Sequence, residues 1–388
     1  MEKDHQDGTA AAVTSNGEHY SIFAAPDQTK AKMAVTSSRR LVGIDVAYGL
    51  AVMGCIVYAF WFIMGDKVTS VLTQTRFSIL MDIFPALFFF LNGFTVTLTM
   101  RDRRVSNRKL LSYLGKRGSV LFLIGLSCCV IWPMNIFIAS GLMYIAAPFV
   151  AQWNNVVLRL ITLMSIILGI VLLYVDVPTY SSYNPPTLGG GEIYNVMGFI
   201  LFNGYYSILP WFTFFFAGLL FGRTEIRPRG ILPPSSLLGI ALIILSFVVN
   251  RYSKKLDNDV VLIQRFDFFL LNIRLLFPAF CVFGIGVSIV LTNTLMYVFR
   301  KLENRKLLKS IQTISSMKYS LFFFHTLIGL ITMSATNLQF FTRKIVLISY
   351  VILATFLTFY LIFVWRKRVS EQGPMEWLIK RISGSAKK

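Results

Sequence analysis

The chain is short of charge, and shortest of acid. Only 14% of its 388 residues are Asp, Glu, Lys or Arg, and 38 basic residues face 18 acidic ones. Soluble domains carry about 25% charged residues, so this surface is too poor in charge for a water-soluble globule. Histidine is scarcer still, with His5, His19 and His325 alone in the chain. The four cysteines, Cys55, Cys128, Cys129 and Cys281, all lie in apolar stretches without CxxC or CxxH spacing. They are expected to pack, not to bind metal, and no metal is expected. There is no G-x-x-x-x-G-K-(S/T), no H-E-x-x-H and no G-x-S-x-G in a strand-turn-helix setting, which removes the P-loop, zincin and serine-hydrolase templates. Gly189–Gly191 form no phosphate cradle, because no strand precedes them and no helix start follows directly. No internal repeat is visible.

What is present is oil. The chain is 55% hydrophobic with 35 Phe, and its mean hydropathy is +0.64. Apolar runs of about 20 residues, long enough to cross ~30 Å of hydrocarbon, recur along it. Without the alternation of a closed barrel, these runs predict an all-α polytopic membrane helix bundle of about ten transmembrane helices. The spans are expected near 42–64, 76–99, 117–132, 134–151, 157–175, 196–221, 235–250, 273–298, 319–336 and 345–365. The connector "RDRRVSNRKLLSYLGKR" holds seven basic residues, "RKLENRKLLKSIQTISSMK" six, and the tail from Arg366 seven. An even number of spans with both termini cytoplasmic puts all three segments inside, as the positive-inside rule asks. Arg251, Lys254 and Lys255 then fall outside, against that rule. The net charge of +20 is therefore read as membrane orientation and not as nucleic-acid binding.

Residues 1–40 are polar and without apolar periodicity or an h-region, so a disordered cytoplasmic tail is expected there and not a cleavable signal peptide. A transmembrane domain is expected over 41–366 and a basic cytoplasmic tail over 367–388. The longest outer loop, "VDVPTYSSYNPPTLGGGEIYN" at 175–195, is broken by Pro185–Pro186 and the triple glycine. Its Tyr180, Tyr183 and Tyr194 are read first as headgroup anchors, with sugar contact as the alternative.

Two ionisable groups stand out inside spans. Asp45, in "RRLVGIDVAYGLAV", enters an apolar run, which is costly unless the carboxylate is paired or solvated. It is either a functional site or a helix-end acid on the macrodipole. His325, in "MKYSLFFFHTLIGLITMS", shares a helical face with Lys318, Leu321, Phe322, Gly329 and Thr332, and is expected to point into the bundle beside the first span. It lines a cavity for proton transfer, or it is a structural histidine bonded to a carbonyl or a Ser/Thr of a neighbouring helix.

"RLVGIDVAYGLAV" resembles the R-L-x-x-(I/V)-D-x-x-R-G-(I/F)-A opening of a superfamily of transmembrane acyl transferases. That superfamily includes the heparan-α-glucosaminide N-acetyltransferases, the bacterial surface-polysaccharide O-acyltransferases and YeiB-like membrane proteins. "MDIFPALFFFLNGFTVTLTM" (81–100) is similar to its second span, and "KRGSVLFLIGL" with "WPMNIFIASGLMYIAAPF" to its third and fourth. "YYSILPWFTFFFAGLLFGR" (205–223) resembles its P-W-x-x-x-x-x-x-G-x-x-x-G-R element, and "EQGPMEWLIKRISG" (371–384) the G-P-x-E-W tail of the YeiB-like branch. "KYSLFFFHTLIG" resembles the late span in which the O-acyltransferases keep a histidine, at His325.

The resemblance implies transfer of an acyl, typically acetyl, group from cytoplasmic acyl-CoA to a cell-envelope glycan or lipid. The expected location is a bacterial plasma membrane, and the expected partners are membrane lipid, a glycan or lipid-linked acceptor and a second copy of the chain. His325, Asp45 and Asp82 are the catalytic candidates. Arg40, Arg101, Arg104, Lys116 and Arg117 are the candidates for the CoA phosphates. The chain departs from the pattern at two places. Fourteen residues on from Asp45, where the O-acyltransferases place their essential histidine, stands Ala59, and Tyr48 replaces the motif arginine. A sugar hydroxyl needs a base to take its proton, and the family's base is absent. Two other readings stay open: a transporter or flippase for an anionic or lipid-linked solute, with Asn92, Asn135, Asn203 and His325 on its path, and an inactive member of the superfamily.

Overall fold

The computed structural model describes residues 42–58, 82–100, 107–129, 136–174, 200, 206, 208–224, 233–256, 277–301, 313, 315–336, 344–370 and 372–384. Among them there is no strand. Ten helices overlap the ten expected apolar segments, in order. They are α1 (Val42–Tyr58), α2 (Ile83–Met100), α3 (Asn107–Cys129), α4 (Ile136–Val150), α5 (Asn155–Tyr174), α6 (Ile208–Arg223), α7 (Pro234–Leu256), α8 (Phe277–Lys301), α9 (Lys318–Thr336) and α10 (Lys344–Arg368). An eleventh, α11 (Pro374–Ser383), lies within the segment expected as a basic tail. Among the described residues two helices are long and apolar enough to cross a membrane, Ile83–Met100 and Ala279–Phe299, so the number of spans is not fixed at ten by helix length.

The ends of the helices follow from local chemistry. Pro234 and Pro374 open α7 and α11, where a missing N–H costs nothing. α10 closes on Arg366, Lys367 and Arg368, cations that suit the negative end of a helix dipole. α3 begins ten residues ahead of the span expected from hydropathy, at Asn107 in place of 117. Helix propensity of "NRKLLSYL" carries the backbone on past the apolar limit, so the basic connector is helical where hydropathy shows only charge.

Glycines set which helices touch. A Cβ on Gly93 would strike the α6 backbone at Phe215, and one on Gly218 would strike the α2 backbone at Phe90. α2 and α6 therefore cross backbone to backbone, tied by Thr97 Oγ1 donating to Leu219 O at 3.0 Å. Gly118, Gly125 and Gly141 do the same for the α3–α4 hairpin, and Gly239 faces Gly286 across α7 and α8. Close crossings on small residues are how helices associate where no hydrophobic force draws them together. Phe88, Phe89, Phe90, Phe94, Phe214 and Phe215 fill the centre, all with 0% exposure. By contrast, α5, α7 and α10 turn large apolar side chains outward, among them Leu163 and Met164, Leu238 and Phe247, and Leu353 and Phe356. Outward apolar surface of that extent has the character of a lipid-facing wall.

The pairings fix direction. Tyr48 meets Asn92 and Thr95, while Gly54 meets Phe84, so α1 and α2 are antiparallel. Ser315 meets Asp45 and Lys318 meets Tyr48, so α9 runs parallel to α1. The starts of α1, α3 and α9, the ends of α2 and α10, and α11 thus share one end of the bundle. Among the described residues it carries Arg108, Lys109, Lys116, Arg117, Lys318, Arg366, Lys367, Arg368, Lys380 and Arg381, and it is called the basic end below.

Candidate functional site

Five helices meet inside the basic end around a connected set of polar side chains. Asn92 of α2, fully buried, is the hub. Its Oδ1 accepts the hydroxyls of Tyr48 (3.1 Å) and Tyr144 (3.4 Å), and its Nδ2 donates to Ser140 Oγ (3.4 Å). The Tyr48 hydroxyl also lies 2.9 Å from Thr95 Oγ1. This network joins α1, α2 and α4, and it leaves the two tyrosine rings facing the interior of the basic end.

Two cations lie against those rings. Lys318 Nζ, from the first turn of α9, sits 3.3 Å from the Tyr48 ring centroid, 5.4 Å from that of Tyr319 and 5.8 Å from that of Phe88. Arg117 of α3 lies with Cζ 4.9 Å from the Tyr144 ring and 5.8 Å from the Tyr319 ring. Tyr319 is the wall both cations share. One Arg117 Nη donates to Tyr113 Oη at 3.3 Å, while its buried Nε makes no hydrogen bond. The Tyr319 hydroxyl is also buried and closes no hydrogen bond of ordinary geometry, with Tyr144 and Arg117 as its electrostatic neighbours.

Carboxylates stand at the rim. Asp45 Oδ1 accepts from Ser315 Oγ at 3.1 Å. Glu376 of α11 binds the start of α9: its Oε1 accepts from the Tyr319 amide at 2.6 Å and the Ser320 amide at 3.2 Å, and Oε2 meets Ser320 Oγ. Lys318 feels both carboxylates, and it also feels Arg117 as a like charge. Burial pushes the Glu376 carboxyl above the ordinary glutamate range, and the hydrogen bonds from Ser320 and the two amides pull it back only in part.

Such an arrangement can accept an anion. Two neighbouring cations repel, and cation–π contacts of about 0.5–2 kcal/mol each compensate a desolvated charge only partly. A group with several negative oxygens would relieve the repulsion, fill the open Nε valence and take a hydrogen bond from Tyr319. Among the described residues no group of three or more His, Cys, Asp and Glu could hold a metal ion.

The residues expected from sequence are distributed unevenly. Asp45 and Arg117 lie in the site. Lys116, one residue away, is rotated about 100° around α3 and is exposed. Arg40, Arg101 and Arg104 lie outside the described residues, as do Asn135, Asn203 and the loop at 175–195. Asp82 is buried at the far end of α2, beside Cys55, and the α1–α2 register puts it roughly 15 Å along the axis from Asp45. His325 is 1% exposed, so it points inward as its helical face predicts. Its Nε2 lies 2.9 Å from Thr355 Oγ1 of α10, the kind of bond a histidine joining two helices makes.

Sequence reading missed Lys318, Tyr144, Tyr319, Asn92 as a hub, and Glu376. Lys318 looked like one more connector cation, although it shares the inward face of His325. The P-W…G-x-x-x-G-R element resolves into packing. Gly218 and Gly222 seat α6 on α2, and Arg223 holds Trp153 O (2.6 Å), Ala151 O (2.8 Å) and Asn155 Oδ1 (2.9 Å) at the α4–α5 turn.

Residues 40–231 match the family model described as Heparan-alpha-glucosaminide N-acetyltransferase, catalytic. The matched stretch contains Asp45, Tyr48, Asn92, Arg117 and Tyr144, and ends before α9 and α11. No curated protein and no solved structure matches the chain.

Proposed function

Because the chain belongs to the heparan-α-glucosaminide N-acetyltransferase-like membrane acyltransferase superfamily, we propose that it is a membrane acetyltransferase whose acyl-CoA donor enters at the basic end. The observation that carries this reading is the pair Arg117 and Lys318, two cations walled by Tyr48, Tyr144 and Tyr319. The donor's phosphates are the anions that fit them. With both termini cytoplasmic, the basic end faces the cytoplasm, where acyl-CoA is made, and a glycan or lipid acceptor is met toward the opposite face.

Asp45 sits beside Lys318 at the mouth of this site and is the carboxylate we assign to the donor side. Asp82, buried at the other end of α2, is a carboxylate among the described residues toward the acceptor side. His325 is assigned to the α9–α10 joint. Asn92 is occupied by two tyrosines and a serine, which favours a fixed binding site over a transport path. Asp45→Asn tests the donor side. It keeps the Ser315 hydrogen bond but removes the charge that helps hold Lys318 protonated, and should weaken CoA binding at least tenfold, about 1.4 kcal/mol, with expression intact. Unchanged binding would return Asp45 to a helix-end acid.

A further inference from the structure

The site includes two residues, Lys318 and Tyr319, from the first turn of α9, which is the part of a helix least held by its own hydrogen bonds. The first N–H groups of a helix have no intrahelical partner and must find one elsewhere. In α9 two of them, on Tyr319 and Ser320, are taken by Glu376 Oε1 from a different helix at 2.6 Å and 3.2 Å. The link is doubled in reverse, since the Met375 amide donates to Ser320 Oγ at 2.9 Å. Gly373 leaves room for this grip, because a Cβ there would overlap the Ser320 side chain and the Glu376 carboxylate.

α11 is itself anchored independently of this grip. Met375, Ile379 and Ser383 form its buried stripe, at i, i+4 and i+8, and it packs on α3 as well as α9. Trp365 Nε1 of α10 donates to Gln372 O at 2.9 Å, and the Trp365 and Trp377 rings meet at 6.5 Å. Glu376 is thus presented from a seated element to a helix start that needs it.

From this geometry we propose that Glu376 is a positioning residue of the candidate site. By holding the Tyr319 and Ser320 amides, it fixes Lys318 against Tyr48 and the Tyr319 ring against Arg117. Oε1 accepts both amides whether or not the carboxyl is protonated, so the grip needs the oxygen and not the charge. Glutamine can replace it and alanine cannot. The proposal rests on the donor-site reading for its consequence, a better CoA site, but not for its mechanism.

The test uses the full-length protein in lipid nanodiscs as wild type, Glu376→Gln and Glu376→Ala. Three quantities are read: hydrogen exchange of the amides at 319 and 320, reaction of Lys318 with an amine-acylating reagent mapped by mass spectrometry, and affinity for CoA by calorimetry. Glu376→Ala is expected to speed both exchange and Lys318 labelling at least fivefold, and to weaken CoA binding at least fivefold. Glu376→Gln should stay within twofold of wild type in all three. Equal exchange and labelling in wild type and alanine variant would overturn the proposal. So would a glutamine variant as impaired as alanine, which would make the charge the active feature, or tighter CoA binding by alanine, which would make Glu376 an occupant of the anion seat. Should the wild type not bind CoA at all, the donor-site reading falls, and exchange with labelling still decides whether Glu376 positions Lys318.

Discussion

Replacing Arg117 with methionine separates a functional cation from a structural one, because the two roles predict opposite results. Its structural ledger is nearly even. The guanidinium gains two cation–π contacts, with Tyr144 and Tyr319, and one hydrogen bond to Tyr113. At about 0.5–2 kcal/mol for each ring and about 1 kcal/mol for the hydrogen bond, that is roughly 2–5 kcal/mol. Against it stand the unpartnered buried Nε, at about 1–3 kcal/mol, and the like charge of Lys318, added to the desolvation of the guanidinium itself. A methionine, whose methyl reaches to about the Nε position, keeps the packing of the side-chain stem and discards the cost of the buried charge, while giving up the guanidinium's contact with the two rings. Thermal unfolding of Arg117→Met, followed by tryptophan fluorescence in detergent, should therefore stay within about 1–2 kcal/mol of wild type. A donor phosphate held by Arg117 loses a charge-assisted contact of about 1.5–3 kcal/mol, so CoA affinity should fall roughly 10- to 150-fold. A large loss of stability with unchanged affinity would refute the reasoning and make Arg117 a structural pin.

Two further outcomes follow from the same geometry. His325→Gln can keep a bond to Thr355, so its stability should exceed that of His325→Ala by about 1 kcal/mol, with CoA affinity equal in both; abolished acetyl transfer in a fully stable glutamine variant would instead make the imidazole catalytic. Burial raises the folded-state carboxyl of Glu376, so the folded protein keeps a proton that the unfolded chain has already lost, and this residue's contribution to stability must fall as pH rises from the ordinary glutamate range through the raised value. The melting temperature of wild type should fall relative to that of Glu376→Gln as pH rises above the ordinary glutamate range, and a gap moving in favour of wild type with rising pH would contradict the sign.

The helices were legible because lipid-length apolar runs write themselves in single-residue hydropathy, and a helix falls in each of the ten segments. The inward direction of His325 was legible too, since a helical period sorts a face without knowing what it meets. What the period cannot say is which faces meet. Tyr48, Tyr144 and Tyr319 are separated by 96 and 175 residues and belong to no common motif. Contacts remote in sequence bring α1, α4 and α9 together, through Asn92 between Tyr48 and Tyr144 and through Lys318 and Arg117 against the three rings. The neighbouring Lys116 and Arg117 read alike as charge, yet one helical step sends the first to solvent and the second under Tyr144. Glu376 was visible only as a letter of a tail motif. Its meaning depends on the first amides of α9 lying 2.6 and 3.2 Å from its carboxylate, which no local pattern records.

The central claim is that the basic end takes an acyl-CoA donor and passes its acetyl group on. The most direct measurement supplies [acetyl-14C]-acetyl-CoA to the purified protein in nanodiscs made with lipid extract from its host, and follows label into protein, lipid and glycan fractions. Saturable loss of label from CoA is expected, with its appearance in a lipid or glycan fraction and loss of that transfer in Arg117→Met and Lys318→Met. Transfer that survives both substitutions, or saturable CoA binding that is indifferent to them, would contradict it.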